Sequence, residues 1–212
     1  MNVDRNIKIT IYDACQHSLL LILMSSFLNT FSKLDQKEMK NASLIMMCGL
    51  PGSGKSSIAR KLAKELNIEL CISDKIRKKV FKNVRYSDAG DLFVMGIRKK
   101  YYAMLSDEVA GLLKDGKKVV IDASNMDCRR KEMIDGFAKL VGKGKIVVIE
   151  VRTSKETISN RMKEIKEMAN DNEDFETGWR RVHEYFEGHL ETGKYFWPTI
   201  DEGVAIVKVN ND

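Results

Sequence analysis

The chain has 212 residues, 43% of them hydrophobic and 31% charged, and a formal net charge of +6. That length suits one domain with an appendage or at most two small domains, and the balance excludes disordered and fibrous classes. Early in the chain Arg5, Lys8, Lys33 and Lys37 are offset by Asp4, Asp13, Asp35 and Glu38, so the positive excess lies beyond them. Such an excess suits anionic ligands without singling out nucleic acid.

The first predicted element is an N-terminal helical extension, residues 1–42. Leu20, Leu23, Met24, Phe27, Leu28 and Phe31 recur with the period of a helix face, which Leu19, Leu21 and Ile22 broaden. A stripe of that kind over residues 19–31 packs on the domain, or else meets a partner helix or a membrane surface. No stretch reaches the roughly 18 consecutive apolar residues of a spanning helix, and no small-residue cleavage site follows, so neither a transmembrane segment nor a signal peptide is expected. Met39, just ahead of the first strand, offers an alternative start.

Residues 43–212 read as one α/β domain. Leu44–Cys48 is a short apolar run suited to a buried strand, and an amphipathic helix opens at Ser56 and Ser57. Between them stands Gly49-Leu50-Pro51-Gly52-Ser53-Gly54-Lys55-Ser56, a phosphate-binding loop of the form Gly, four residues, Gly-Lys-Ser. Strand, glycine loop and helix in that order let successive backbone N–H groups turn inward at phosphate oxygens, where the helix end adds partial positive charge. Gly49, Leu50, Pro51, Gly52, Ser53, Gly54, Lys55, Ser56 and Ser57 are therefore the candidate nucleotide-binding set. Lys55 is expected to reach the β- and γ-phosphates of ATP, and the Ser56 hydroxyl to face Mg²⁺.

Further along, Ile68–Ile72 reads as a second strand, Asp74 to about Lys82 as a helix, and Met95 to Lys114 as a long helix ending at Asp115-Gly116. Lys118–Ile121 is a third strand running into Asp122, Asp127–Val141 a helix, and Ile146–Val151 a fourth strand. Helices near Lys155–Met168 and Glu176–Leu190 precede a last strand, Val204–Val209. Five strands alternating with helices imply a parallel sheet covered on both faces. In such sheets ligands bind beyond the carboxyl ends of the strands, which directs attention to the phosphate loop, to Ser73-Asp74-Lys75-Ile76-Arg77 and to Asp122-Ala123-Ser124-Asn125. The four cysteines, Cys15, Cys48, Cys71 and Cys128, have no metal-ligand or redox spacing. They read as reduced, mostly buried thiols, which with ATP use places the protein in the cytoplasm.

Together the loop, Asp74-x-x-Arg77, the block Gly116 to Asn125 followed by Arg129-Arg130, and Trp197-Pro198-Thr199 resemble the small P-loop kinases related to polynucleotide 5′-kinases, seryl-tRNA kinases and zeta toxins. The resemblance runs from about Leu44 to the C-terminus. It implies a three-layer P-loop NTPase with strand order 2-3-1-4-5 and an ATP- and Mg²⁺-dependent phosphotransferase acting on a hydroxyl. It implies Asp74 as general base, Arg77 as clamp on an acceptor phosphate and Asp122 as a second acidic group holding Mg²⁺ through water. Asn125 either bonds the acceptor or shapes its loop. Relatives carry two lid arginines four residues apart; Arg161 matches the first, but Ile165 stands at the second. The missing charge then has to come from Lys163, Lys166, Arg180 or Arg181. Three readings stay open: a kinase of a polynucleotide 5′-hydroxyl, a small-metabolite kinase of the same fold, and a nucleotide-dependent switch that transfers no phosphate. The basic residues Lys75, Arg77, Lys78, Lys79, Lys82 and Arg85, with Arg98-Lys99-Lys100 and Arg129-Arg130-Lys131, favour the first if they line one groove. His183 and His189 read as surface or satisfied helix residues, and Trp179, Tyr185 and Phe186 as packing, with stacking on a base the alternative for an aromatic near the lid.

Overall fold

In the computed structural model residues 31–80, 98–168 and 173–212 are described, and Glu38–Asp212 form one compact unit. The apolar face read over residues 19–31 falls, Phe31 aside, outside the described residues, as do Lys82, Arg85 and the first turn expected of the long helix. Helix α1 (Lys33–Asn41) leads to β1 (Leu44–Cys48), every residue of which is buried. Helix α2 (Lys55–Leu66) follows, then β2 (Glu69–Ile72), α3 (Ser73–Val80) and α4 (Arg98–Lys114). The second half runs β3 (Val119–Asp122), α5 (Cys128–Val141), β4 (Ile146–Arg152), α6 (Lys155–Met168), α7 (Glu173–Glu191) and β5 (Ala205–Asn210).

The five strands make one parallel sheet in the order β2-β3-β1-β4-β5. The central strands β1, β3 and β4 are mostly apolar because helices cover both faces, with Asp122 and Glu150 as buried charged exceptions, and the edge strands β2 and β5 are partly exposed. Leu44, Met46 and Cys48 meet Leu105 and Val109 of α4 and Ile134 and Phe137 of α5 in one core. Burying a side chain of that size stabilises the fold by about 1.5–3 kcal/mol. Register pairs Ile72 with Asp122 and Cys48 with Glu150, so the segments that leave β1, β2, β3 and β4 emerge along one edge of the sheet.

Where element ends differ from expectation, hydrogen bonding decides. Ile68 is not in β2, because its N–H caps α2 by bonding the Ala63 carbonyl at 3.0 Å beyond a left-handed Asn67 (φ 50°). Strand β5 runs on to Asn210, which pairs with Arg152. Cys48 and Cys71 are buried as expected, whereas Cys128 is exposed at the first position of α5. Among the described residues no helix is long and apolar enough to cross a membrane.

Candidate functional site

The loop after β1 needs glycine at two positions. A Cβ on Gly49 would lie 2.5 Å from the Val151 carbonyl oxygen, and one on Gly54, whose φ is 86°, would lie 2.2 Å from Asn211 Nδ2. Gly54 is also the N-cap of α2 and offers no side-chain cap. The first amides bonded back into the helix are Ser57 (3.1 Å) and Ile58 (3.2 Å), both to the Gly54 carbonyl. The N–H groups of Lys55 and Ser56 thus stand ahead of the helix ladder, where an anion is held by amides and helix dipole together.

Lys55 is buried in the loop, its Nζ donating to the Leu50 carbonyl at 2.6 Å and lying 3.5 Å from Ser53 Oγ. Burial lowers its pKa to about 8, against the opposing pull of Asp122, then Cys48 and Asp74. Because the folded value lies below the ordinary 10.5 of a lysine, the charged amine costs stability at neutral pH, and that cost is relieved as pH rises from about 8 to 10.5. Triphosphate binding has the opposite dependence, since it needs the ammonium. ATP affinity measured by calorimetry should be flat below pH 8 and fall by up to about tenfold per unit above it, and Lys55→Arg, which stays charged, should flatten the profile.

Asp122 is buried at the end of β3. Burial raises its pKa, and the neighbouring Ser56 hydroxyl and the Lys55 charge oppose the rise. The two residues assigned to Mg²⁺ from sequence are therefore neighbours. A hydroxyl and one carboxylate fit an ion that prefers hard oxygens and keeps most of its waters. Among the described residues no group of three or more His, Cys, Asp or Glu forms a closed metal cage.

Asp74 lies in the first turn of α3, exposed, and Arg77 Nε approaches its Oδ1 at 3.3 Å. The pair predicted to share one helix face does so, and an exposed pair of this kind adds at most about 1 kcal/mol to stability. Asn125 takes a left-handed conformation (φ 46°), donates from Nδ2 to the Met47 carbonyl at 2.8 Å and is buried. Its backbone carbonyl accepts from Cys48 Sγ at 3.3 Å and from Arg130. Asn125 thereby ties the β3 loop to β1, which is the loop-shaping role. Burial pushes the Cys48 thiol up to about 12, so it stays protonated beneath the phosphate loop.

Arg161 reaches the same loop from α6. Its Nη2 donates to the Asn211 carbonyl at 2.6 Å, and Nη1 lies 3.4 Å from where a Gly54 Cβ would stand. Lys163 is exposed on the same helix, and the side chains of Ile165, Lys166, Arg180 and Arg181 lie outside the described residues.

The basic groove loses two members. Arg130, a candidate for the acceptor groove if the basic residues lined one face, has 0% exposure and is paired with Glu202, Nη2 to Oε1 at 2.7 Å and Nε to Oε2 at 3.0 Å. Arg129 is held by Asp127 at 2.8 Å and lies over the Tyr102 ring. Lys75, Lys78 and Lys79 on α3, with Lys100 and Lys131, stay exposed. Sequence reasoning missed Glu202, whose one local signal is the Thr199-x-x-Glu202 capping box, and Thr153 and Asn211, which carry no motif; all three reach the site only through the fold.

A family model described as an AAA domain matches residues 44–188. Among solved structures, a "putative kinase" from Chloroflexus aurantiacus J-10-fl aligns with a TM-score of 0.57 at 17% identity, covering 80% of this chain and 85% of that one. A gluconokinase from Sinorhizobium meliloti 1021 aligns at 0.46 and 17% identity, over 81% and 83% of the two chains. A shikimate kinase from Acinetobacter baumannii aligns at 0.48 and 15% identity, over 83% and 87%. At these identities the likeness is one of fold. No curated protein matches the chain.

Proposed function

This chain belongs to the AAA domain family, and on that premise we propose that it is an ATP- and Mg²⁺-dependent phosphotransferase acting on a hydroxyl acceptor. The observation that carries the reading is the meeting of Lys55, Ser56 and Asp122 at the uncapped end of α2. Phosphoryl transfer asks a protein for position and charge more than for covalent help. The loop amides and Lys55 hold the β- and γ-phosphates. Ser56 and, through water, Asp122 would hold Mg²⁺, which when bound offsets charge developing on the transferred group. Asp74, near enough to act on the Lys55 charge, orients the acceptor hydroxyl and takes its proton, and Arg77 grips an acceptor phosphate.

Purified protein incubated with ATP, Mg²⁺ and a panel of hydroxyl acceptors tests this by acceptor-stimulated ADP release. Asp74→Asn should lower turnover by about 10²–10⁴-fold with ATP affinity unchanged. Equal turnover in that variant removes Asp74 from the chemistry. The second reading, a nucleotide-dependent switch, is favoured by Ile165 in place of a lid arginine. Tight ATP binding with no acceptor-stimulated release would establish it.

The exposed lysines Lys75, Lys78 and Lys79 share α3 with Asp74 and support an anionic acceptor. A polynucleotide 5′-hydroxyl and a small acidic metabolite both answer to that description, and salt separates them. Oligonucleotide affinity should fall with a log–log slope of about 0.7 per single-strand phosphate contact, and Arg77→Ala should weaken it more than any one lysine change. A flat dependence, or no oligonucleotide binding at low salt, rules out the nucleic-acid acceptor.

A further inference from the structure

The C-terminal end of β5 reaches over the phosphate loop in a way that no motif announces. Asn211 Nδ2 donates to the Ser53 carbonyl at 2.8 Å, and Thr153 Oγ1 donates to the same oxygen at 3.0 Å. The main-chain carbonyl of Asn211 in turn receives Arg161 Nη2 at 2.6 Å. The Asn211 N–H is spent on the Arg152 carbonyl at 2.9 Å, which fixes the backbone in register with β4. One residue thus uses its side chain on the phosphate loop and its backbone on the arginine of α6.

Two further observations say that the arrangement is directed at a ligand. Arg161 Nη1 is buried and has no hydrogen-bond partner within the protein. A guanidinium carries five donors, and a buried one left idle beside a loop shaped for anions is costly unless a ligand oxygen takes it up. Gly54 is the second observation, since any Cβ there would strike Asn211 Nδ2 and would sit 3.4 Å from Arg161 Nη1. The glycine that opens α2 is also what lets asparagine and arginine lie against the loop.

We propose that the Asn211 side chain, by holding the chain after β5 against Ser53, positions its own carbonyl and through it Arg161 over the phosphate loop, so that Nη1 is presented to the polyphosphate of the nucleotide. The proposal rests on the nucleotide-binding reading of the loop and is independent of which acceptor is phosphorylated. It separates two roles. A residue that merely braces Ser53 would matter equally with or without Arg161, whereas a residue that positions Arg161 has no effect once that side chain is gone.

The experiment is a double-mutant cycle on ATP and on inorganic tripolyphosphate, both with Mg²⁺, read by calorimetry on the full chain. Asn211→Ala and Arg161→Ala should each weaken both probes by about tenfold, the scale of one charge-assisted hydrogen bond, and the double variant should be no weaker than Arg161→Ala alone. Asn211→Asp, which keeps the shape but cannot donate to the Ser53 carbonyl, should weaken binding at least as much as alanine does. Thermal melting of each variant verifies that it folds, and Arg161→Lys, which keeps charge without the fork, should recover only part of the affinity. Losses that multiply in the double variant would overturn the positioning role. So would a loss confined to ATP and absent for tripolyphosphate. If the unaltered protein binds neither probe, the nucleotide reading itself fails; if it binds both but releases no ADP with any acceptor, the kinase reading fails while the cycle still decides the role of Asn211.

Discussion

Replacing Lys55 with alanine is expected to cut ADP release by about 10²–10³-fold or more, the scale seen when one preorganised donor aimed at developing charge is removed. The size follows from where the side chain lies. Lys55 is buried among Leu50, Ser53 and the charges of Asp122 and Asp74, so its ammonium is held at the loop and out of solvent. In that dry setting its interaction with a phosphate oxygen is screened far less than a surface pair would be. Folding should survive the change, because removing a buried amine also removes its desolvation cost. ADP release and melting temperature measured on the same preparation check both halves. Full turnover with an unchanged melt would refute the role given to Lys55.

The phosphate loop was legible in sequence because its chemistry is local: glycines, lysine and serine at fixed spacing between a strand and a helix. The sheet was legible for a related reason. β1, β3 and β4 are covered on both faces, so burial wrote itself as short apolar runs, and their order came from the family resemblance. Asp74 and Arg77 were found together because both lie on one turn of α3. What could not be read is what the fold brings from afar. Arg130 stands in a run of three basic residues and looks solvated, but its partner Glu202 is 72 positions away. Asn211 meets Ser53 across 158 positions. Glu202 has only the capping-box spacing from Thr199 as a local signature, which says nothing of Arg130, and Asn211 has none until the sheet assembles. Cys128, which lies in no apolar run, is exposed at the first position of α5.

Arg130→Ala is expected to be the most destabilising single change named here, at about 3–5 kcal/mol, because it strands the buried Glu202 carboxylate. The guanidinium serves several groups at once. Besides its bonds to Glu202 it donates to the carbonyls of Asn125 and, at 3.1 Å, Phe196, and it lies 5.1 Å from the Phe196 ring centroid. Glu202 also accepts from the Thr199 amide at 3.3 Å, so the turn before β5, the β3 loop and the end of β1 are joined through one ion pair. A loss of that size should lower the melting temperature by roughly 6–20 °C for a unit of this length. Arg130→Lys should recover little, since an ammonium cannot match two carboxylate oxygens in parallel. The informative control is Arg130→Met with Glu202→Leu. Removing both charges leaves no buried ion unpaired, and such replacements are often neutral for stability. The double variant should therefore melt well above either single one, and a double variant as unstable as Arg130→Ala would show that the bonds to Asn125 and Phe196, not the ion pair, hold this side of the site.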